Sequence, residues 1–183
     1  MKTNTTPLSG LIVVETTPVA DTRGRFTRIF CDTELATAQP NLQFRQINLS
    51  ATRQRGTVRG LHYQVPPAAE TKLIRCLRGR VFDVAVDLRR DSPTFLGWHA
   101  VELSSENDQQ VLIPEGFAHG FQALTDDVEL LYMHTSPWTP SHEIGIRHDD
   151  PRLGITWPLP VSHLSNRDSG YSLLTEDFSG VVL

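Results

Sequence analysis

Apolar and polar residues alternate with a period of two through much of the chain, which is the pattern of half-buried β-strands. The clearest run is Val81–Arg89, where the apolar even-numbered positions share one face and the charged residues share the other. Gly79 supplies a tight turn after a run at Lys72–Leu77, which predicts a hairpin of these two strands. Further strands are predicted at Leu11–Glu15, Phe26–Phe30, Gln43–Leu49, His99–Leu103, Gln110–Ile113, Phe117–Leu124 and Glu129–Thr135.

Turn-forming clusters separate these runs at short intervals, for example Arg90–Pro93 and Pro114–Gly116. Helix signals are weak: Asp32–Ala38 predicts one or two turns and Leu173–Phe178 another. Many short strands with regular turns favour an all-β sandwich or barrel over an α/β fold. Without a repeat, a linker or a low-complexity tract, we expect residues 1–183 to form one compact β-domain.

Composition narrows the function classes. The chain has 183 residues, 39% apolar and 21% charged, with a net charge of −4. Without a basic excess to neutralise phosphates, it is not expected to bind nucleic acid, although a few clustered arginines could hold a small anion. The first ten residues contain no apolar core of a signal peptide, and no run is long enough to span a membrane. We therefore expect no membrane association and a cytoplasmic location.

The two cysteines, Cys31 and Cys76, have neither CxxC nor metal-site spacing. A disulfide between them is compatible with the sequence. Reduced, buried thiols are the favoured interpretation.

Two stretches carry most of the candidate chemistry, Arg59–Gln64 and Ile113–Phe121. The second contains Pro-x-Gly-x-x-His, a pattern found in cupin-type jelly rolls, whose histidine (here His119) points into the barrel. Metal-binding cupins pair it with an earlier His-x-His followed by a Glu, but here His62 is followed by Tyr and Gln. Two imidazoles alone make a poor divalent-metal site, so no metal is expected.

A histidine in a β-domain is by default a hydrogen-bonded structural residue, and we expect this of His99, His142, His148 and His163. His62 differs, because Arg59 and Lys72 are expected to join it from neighbouring strands. Buried together, these cationic groups would be costly unless an anion or a polar ligand compensated them.

Several runs resemble the dTDP-4-dehydrorhamnose 3,5-epimerases, and the resemblance extends from about Gly10 to Phe178. The runs are Arg59–Gln64, Lys72–Arg75, Val81–Arg89, Ile113–Phe121, Gly154–Pro158 and Leu164–Asp168. The resemblance implies a cupin-type jelly-roll barrel (a double-stranded β-helix) with a few short helices. It also implies a homodimer that acts without metal or cofactor on a nucleotide-linked 4-keto-6-deoxyhexose.

In such a substrate the protons at C3 and C5 are acidic because each is α to the C4 ketone. Inversion needs a base, an acid on the other face and a stabilising group at the ketone oxygen. By resemblance, His62 is the base, Asp168 orients its imidazole, Tyr132 is the opposing acid and Lys72 stabilises the enolate.

The resemblance also implies a set of substrate contacts. Arginines hold the diphosphate, alternating polar residues on one strand contact the nucleotide, and Trp138 replaces a Tyr stacked on the base. Arg28 and Ile47 stand where acidic residues are common, Met133 where a Lys is common, and Arg167 replaces a usual Lys. The expected contacts are Arg23, Arg28, Gln46, Ile47, Asn48, Arg59, His119, Trp138, Glu143 and Arg167.

The resemblance thus implies conversion of dTDP-4-dehydro-6-deoxy-D-glucose to dTDP-4-dehydro-L-rhamnose. The departures leave open an epimerase that inverts only C3 or C5, or one that uses another pyrimidine nucleotide. A metal-dependent cupin enzyme and an inactive nucleotide-sugar binding module are the remaining alternatives. The presence of His62, Tyr132 and Asp168 together argues against a mere binder, which needs no acid and base.

Overall fold

The computed structural model describes residues 1–183, and its regular secondary structure consists almost wholly of antiparallel strands. Two four-residue helices, α1 (Asp32–Leu35) and α2 (Asn166–Ser169), complete it. The strands are β1 (Lys2–Thr5), β2 (Ile12–Glu15), β3 (Val19–Asp21), β4 (Gly24–Phe26), β5 (Gln46–Thr52), β6 (Val58–Gln64), β7 (Lys72–Arg78), β8 (Arg80–Asp87), β9 (Trp98–Ser104), β10 (Gln109–Ile113), β11 (Phe117–Ala123), β12 (Val128–His134) and β13 (Glu143–Gly145).

The strands form two large sheets that face each other. One has six strands in the order β1-β2-β10-β7-β12-β5, and the other has five in the order β13-β6-β11-β8-β9. A cluster of 14 buried apolar residues, including Ile74 and Leu130 of the first sheet and Phe117 and Phe121 of the second, fills the space between them. This is the cupin-type jelly roll that the family resemblance implies, with the main core between the two inner faces.

Each sheet also buries its outer face. Leu35 and Leu42 of the α1 segment cover Leu73 and Met133 of the six-stranded sheet. Ile146, Leu153 and Val181 from the C-terminal part of the chain pack on the outside of the five-stranded sheet. The β-strands in the middle of both sheets are therefore buried on both sides. Because their outer faces also contribute to burial, the inner faces can carry polar residues at one end of the barrel.

The alternation predicted for Val81–Arg89 is confirmed, but its polar face does not point to solvent. Asp83 and Asp87 are 2% and 0% exposed. Asp87 accepts hydrogen bonds from the Arg89 side chain at 2.9 and 2.7 Å and from Ser92 and Thr94. A charged residue in an alternating strand can therefore lie on an inner face that holds polar side chains as well as on a face exposed to solvent.

The predicted hairpin of Lys72–Leu77 with Val81–Arg89 is wrong. β7 pairs with β10 and β12, whereas β8 pairs with β11 and β9 in the other sheet. Gly79 carries the chain across from one sheet to the other at φ +74°, and a Cβ there would lie 2.5 Å from the Thr125 hydroxyl. Its turn is sharp, as expected, but it joins strands of different sheets.

Other differences lie near the ends of the chain. Phe26–Phe30 is not a strand; a hairpin of β3 and β4 ends at Phe26. Leu173–Phe178 is not a helix, and the C-terminal helix is α2, where Ser165 Oγ accepts the Asp168 amide at 3.0 Å. The predicted strand Gln43–Leu49 is shifted to β5, and the helix at Asp32–Ala38 has a single turn, α1.

Both cysteines are free; Cys76 is buried, whereas Cys31 is partly exposed. None of the helices has the length and apolar character that a membrane crossing requires.

Candidate active site

A cavity of about 940 Å³ opens between the two sheets at one end of the barrel. Of the 14 residues predicted for the site, 11 line it, and both sheets contribute. These are Gln46, Asn48, Arg59, His62, Lys72, His119, Tyr132, Trp138, Glu143, Arg167 and Asp168. The remaining lining residues are Ser50, Thr57, Val58, Glu70, His134, His163, Leu164 and Ser165.

His62 lies on β6 of the five-stranded sheet and is paired with Asp168 of α2. The distance from His62 Nε2 to Asp168 Oδ1 is 2.6 Å. The other carboxylate oxygen accepts the Gly60 amide at 3.3 Å, and the Ser165 cap fixes the first turn of α2. The imidazole is partly exposed to the cavity whereas Asp168 is buried, so one nitrogen is held and the ring faces the cavity.

The Asp168 carboxyl stays ionised in spite of its burial. Burial raises its pKa, but the hydrogen bond and charge of His62 and the amide of Gly60 outweigh this effect, so its pKa lies below the ordinary value. A buried carboxylate that remains negative stabilises a positive imidazole beside it. His62 and Asp168 are therefore arranged as a general base and the carboxylate that orients it.

Two glycines allow β6 and β11 to approach closely behind this pair. Gly60 has φ +110°, and a Cβ on it would lie 2.6 Å from the Gly120 Cα. In this register His62 of β6 stands opposite His119 of β11, although the pairing is irregular beyond that point. Close contact of the two backbones thus places two imidazoles side by side on one cavity wall.

His119 forms a second imidazole–carboxylate pair, with Asp83 of β8. The distance from His119 Nε2 to Asp83 Oδ2 is 2.9 Å, and both side chains are buried. The edge of the His119 ring faces Tyr132, with the ring centroids 5.7 Å apart.

Tyr132 lies on β12 of the six-stranded sheet, so it faces the cavity from the sheet opposite that of His62. Burial raises the pKa of Tyr132 well above its ordinary value, and the negative charge of Asp83 adds to this. The phenol therefore keeps its proton at neutral pH. A proton donor and an imidazole base thus stand on opposing walls.

Lys72, from β7, reaches the cavity next to Tyr132 and His134. Its ammonium donates to the His62 carbonyl oxygen at 3.1 Å and pairs with Glu70 at 3.3 Å. Glu70 also accepts from His134 Nδ1 at 2.8 Å. A buried positive charge thus reaches from the sheet that bears Tyr132 to the strand that bears His62, with a carboxylate beside it.

The outer part of the cavity carries polar and aromatic groups. Trp138 is half exposed and donates its indole N–H to Glu143 at 2.9 Å, while Arg167 binds the same carboxylate. Gln46 accepts the Trp138 backbone amide at 3.0 Å. Arg59 is held to β5 through Thr52 Oγ1 at 3.0 Å. An aromatic plane beside fixed hydrogen-bonding groups suits a nucleotide base and ribose.

Three predicted contacts are not at the cavity of their own chain. Arg23 lies in the exposed β3–β4 hairpin and pairs with Asp21 at 2.5 Å. Arg28 pairs with Glu34 on the surface, and the side chain of Ile47 points outward from β5 at 63% exposure. The expectation that Arg59 joins His62 from a neighbouring strand is also wrong, because both residues lie on β6.

Sequence reasoning missed Glu70, His134 and Asp83. The signal was available for His134, which follows Tyr132 by two positions, because such positions share a face of a strand. Glu70 precedes Lys72 by two positions but lies just before β7. His163, expected to be purely structural, lies at the cavity wall. No three His, Cys, Asp or Glu side chains of the chain are arranged so that they could hold a metal ion.

Known proteins resemble this chain over most of its length. A sequence model of the dTDP-4-dehydrorhamnose 3,5-epimerases matches residues 5–176. This chain belongs to the dTDP-4-dehydrorhamnose 3,5-epimerase family. Within the family it is 45% identical to the dTDP-4-dehydrorhamnose 3,5-epimerase of Pseudomonas aeruginosa over 161 residues, which cover 87% of each chain.

Solved structures of the family superpose closely. The dTDP-6-deoxy-D-glucose-3,5-epimerase of Legionella pneumophila, in complex with dTDP-4-keto-L-rhamnose, has a TM-score of 0.89 at 39% identity and covers 94% of this chain and 92% of its own. ChmJ of Streptomyces bikiniensis, a 3′-monoepimerase in complex with dTDP-quinovose, has a TM-score of 0.85 at 33% identity and covers 92% and 85%. The family therefore includes enzymes described as acting at two centres and at one.

Proposed function

We propose that the protein inverts C3 and C5 of dTDP-4-dehydro-6-deoxy-D-glucose and so forms dTDP-4-dehydro-L-rhamnose. One observation carries this proposal: the His62–Asp168 pair and Tyr132 face each other from opposing sheets. Inversion at a carbon acid needs a base on one face and an acid on the other, and this arrangement supplies both.

The proposed reaction begins with His62, which takes the proton from the carbon next to the ketone. The electron pair of the broken C–H bond moves into the enolate, whose negative charge rests on the C4 oxygen. Tyr132 then donates its proton to the opposite face, and a new C–H bond forms with inverted configuration. Exchange with solvent returns the protons of the two side chains to their starting state, and repetition at the second carbon completes the product.

Lys72 is proposed to stabilise the enolate. Its ammonium lies in a buried place between the two walls, where a charge–charge interaction is stronger than in water. No oxidation state changes in the reaction, so a base, an acid and this positive charge account for every proton and charge that moves.

Nucleotide binding is assigned to the outer part of the cavity. Trp138 is proposed to stack on the base, with Glu143 and Arg167 beside it and Gln46 and Asn48 on β5. Arg59, and Arg23 and Arg28 from the hairpin region, are proposed to contact the diphosphate, since a guanidinium fork suits phosphate oxygens. The product complex of the Legionella relative supports a dTDP-linked sugar as the ligand.

We further propose a homodimer in which each subunit completes the other's cavity. Arg23 and Arg28 lie outside their own cavity, and the hairpin that bears Arg23 also exposes Val19 and Phe26 at 71% and 72%. Apolar side chains on a two-stranded projection are costly in water unless a partner covers them. The expected cytoplasmic location stays a prediction.

Mixed dimers test the shared site. His62→Asn and Arg23→Ala chains, each inactive or weak alone, are mixed under conditions of subunit exchange. If Arg23 acts across the dimer, mixed dimers regain one intact site and activity returns. Activity that stays at the sum of the separate variants would place Arg23 in its own subunit's site.

A second candidate is an epimerase that inverts only one centre. The similarity to ChmJ favours it, as do the substitutions at Arg28 and Ile47. One experiment decides between the two candidates: the protein is incubated with dTDP-4-dehydro-6-deoxy-D-glucose in deuterated water, and the reaction is followed by proton NMR. Deuterium at C3 and C5 with inversion of both supports the main proposal, deuterium at one carbon supports the second, and none at either contradicts both. His62→Asn serves as the inactive control.

A further inference from the structure

The wall that bears Tyr132 contains a third imidazole–carboxylate pair, which the proposed reaction does not use. His134 Nδ1 lies 2.8 Å from Glu70 Oε2, and Glu70 Oε1 lies 3.3 Å from Lys72 Nζ. The three side chains are only 11%, 8% and 8% exposed. On the far side, His134 Nε2 lies 3.4 Å from the Asn48 amide nitrogen. A buried chain of polar contacts thus runs from Lys72 to the substrate-facing strand β5.

Strand pairing explains why these residues meet. His134 of β12 is the register partner of Lys72 of β7, so their side chains leave neighbouring strands at the same level. Tyr132 precedes His134 by two positions and lies on the same face. The rings of Tyr132 and His134 are stacked, with centroids 5.9 Å apart and planes inclined by 8°. The pair therefore contacts both the lysine and the tyrosine of the proposed mechanism.

Charge explains what Glu70 does for Lys72. An ammonium in the protein interior needs an opposite charge beside it to offset the cost of its removal from water. Burial raises the pKa of Glu70, but the hydrogen bond from His134 and the charge of Lys72 outweigh it, so its pKa lies below the ordinary value. Glu70 is thus an anion at neutral pH, directly beside the ammonium.

We propose that Glu70 and His134 are a positioning pair, in which Glu70 holds the Lys72 ammonium in place and directed at the ketone oxygen while His134 anchors Glu70 and supports the ring of Tyr132. This inference rests on the proposed function, because it assigns the pair a role through Lys72 and Tyr132. For Glu70 it predicts an effect on turnover rather than on substrate affinity, since the carboxylate contacts Lys72 and His134 and no residue assigned to the nucleotide.

Glu70→Gln is the first test, because it retains the size of the side chain and removes its negative charge, together with one of the two oxygens that face Lys72 and His134. We expect kcat to fall about tenfold to hundredfold, in the range seen when a stabilising group at a developing oxyanion is weakened, with KM within about twofold of the original. Glu70→Asp, which restores the charge, should recover part of the loss. Glu102→Gln, in an exposed ion pair with Arg80 at 3.4 Å, is the matched control and should leave both constants unchanged.

A double-mutant cycle with Lys72→Met separates positioning from general support of the fold. If Glu70 acts through Lys72, adding Glu70→Gln to Lys72→Met should cause less than a twofold further loss in the rate of deuterium exchange. Multiplicative losses in the double variant would overturn the proposal, as would an unchanged kcat in Glu70→Gln. Thermal unfolding of each variant identifies any loss that arises from a lost fold.

His134 is tested by two variants that divide its contacts. His134→Phe keeps a ring against Tyr132 but cannot bind Glu70, so exchange should fall as in Glu70→Gln while the ratio of inversion to exchange is retained. His134→Ala also removes the ring and should lower that ratio. Wild-type exchange in His134→Phe, or equal ratios in the two variants, would refute the role of His134. Absence of exchange in the wild-type protein would instead contradict the proposed function itself.

Discussion

The contact between His62 and Asp168 gives the most quantitative prediction. Asp168→Asn keeps the size of the side chain, and its remaining oxygen can still accept the Gly60 amide. The negative charge that faces His62 Nε2 at 2.6 Å is lost. The substitution therefore removes stabilisation of the positive imidazole that forms when His62 takes the substrate proton.

The magnitude follows from the kind of hydrogen bond. A hydrogen bond to a charged group contributes about 1.5–3 kcal/mol, and Asp168 is buried, where solvent screens it little. Since about 1.4 kcal/mol corresponds to a factor of ten in rate, proton abstraction should slow by about 10- to 150-fold. The nucleotide contacts lie elsewhere in the cavity, so KM should change by less than about threefold.

Deuterium exchange at C3 and C5, measured by proton NMR under saturating substrate, is the suitable assay because it reports proton abstraction directly. Asp149→Asn, at a partly exposed carboxylate paired with Arg147, is the control for loss of one negative charge. An exchange rate within twofold of wild type would refute the role given to Asp168. A loss confined to KM would instead make it a binding residue.

Three further predictions concern the fold. Asp87→Ala, which leaves the Arg89 guanidinium without its buried partner, should lower the free energy of unfolding in urea by about 3–5 kcal/mol. The hydrogen bonds of Asp87 outweigh its burial and hold its pKa below the ordinary value. The difference in the free energy of unfolding should therefore be complete above about pH 4 and disappear as the pH falls through the lower folded-state pKa. A difference independent of pH would contradict this prediction. Burial raises the pKa of the Cys76 thiol to about 11, whereas a hydrogen bond from Thr33 lowers the pKa of Cys31. Iodoacetamide should therefore label only Cys31 in the native protein, which mass spectrometry would show. Rapid labelling of both cysteines would refute the buried position of Cys76. Gly120→Ala would place a Cβ 2.7 Å from a β6 carbonyl oxygen. It should lower the free energy of unfolding by about 1–3 kcal/mol in the same urea assay and also lower activity. Unchanged stability would contradict the close approach of β6 and β11.

Local sequence patterns predict where most strands lie but not which strands pair with each other. Period-two alternation locates Val81–Arg89 correctly because successive side chains of a strand point to opposite faces, although both faces of this strand are buried. The same pattern contains no information on which strands pair, so the hairpin predicted at Gly79 is wrong and the turn there crosses between the sheets. The short helix α2 was missed because it depends on a single cap by Ser165 rather than on any run of apolar residues.

The candidate site was predicted largely through resemblance to the family. No spacing in the sequence connects His62 with Asp168, which is 106 positions away and comes to it only through the packing of α2 on β6. His134 was accessible by a simpler route, because it is two positions from Tyr132 in a predicted strand, whereas Glu70 lies just before β7. Their importance depends on the register of β7 with β12, which only the structure provides.

The central claim is that His62 and Tyr132 act on opposite faces of one carbon, and Tyr132→Phe tests it most directly. The variant keeps the ring and removes only the proton donor. Incubated with dTDP-4-dehydro-6-deoxy-D-glucose in deuterated water, it should exchange deuterium at C3 and C5 at a rate close to that of the wild type, while inversion falls by at least tenfold. Exchange and inversion that fall by the same factor would contradict the account.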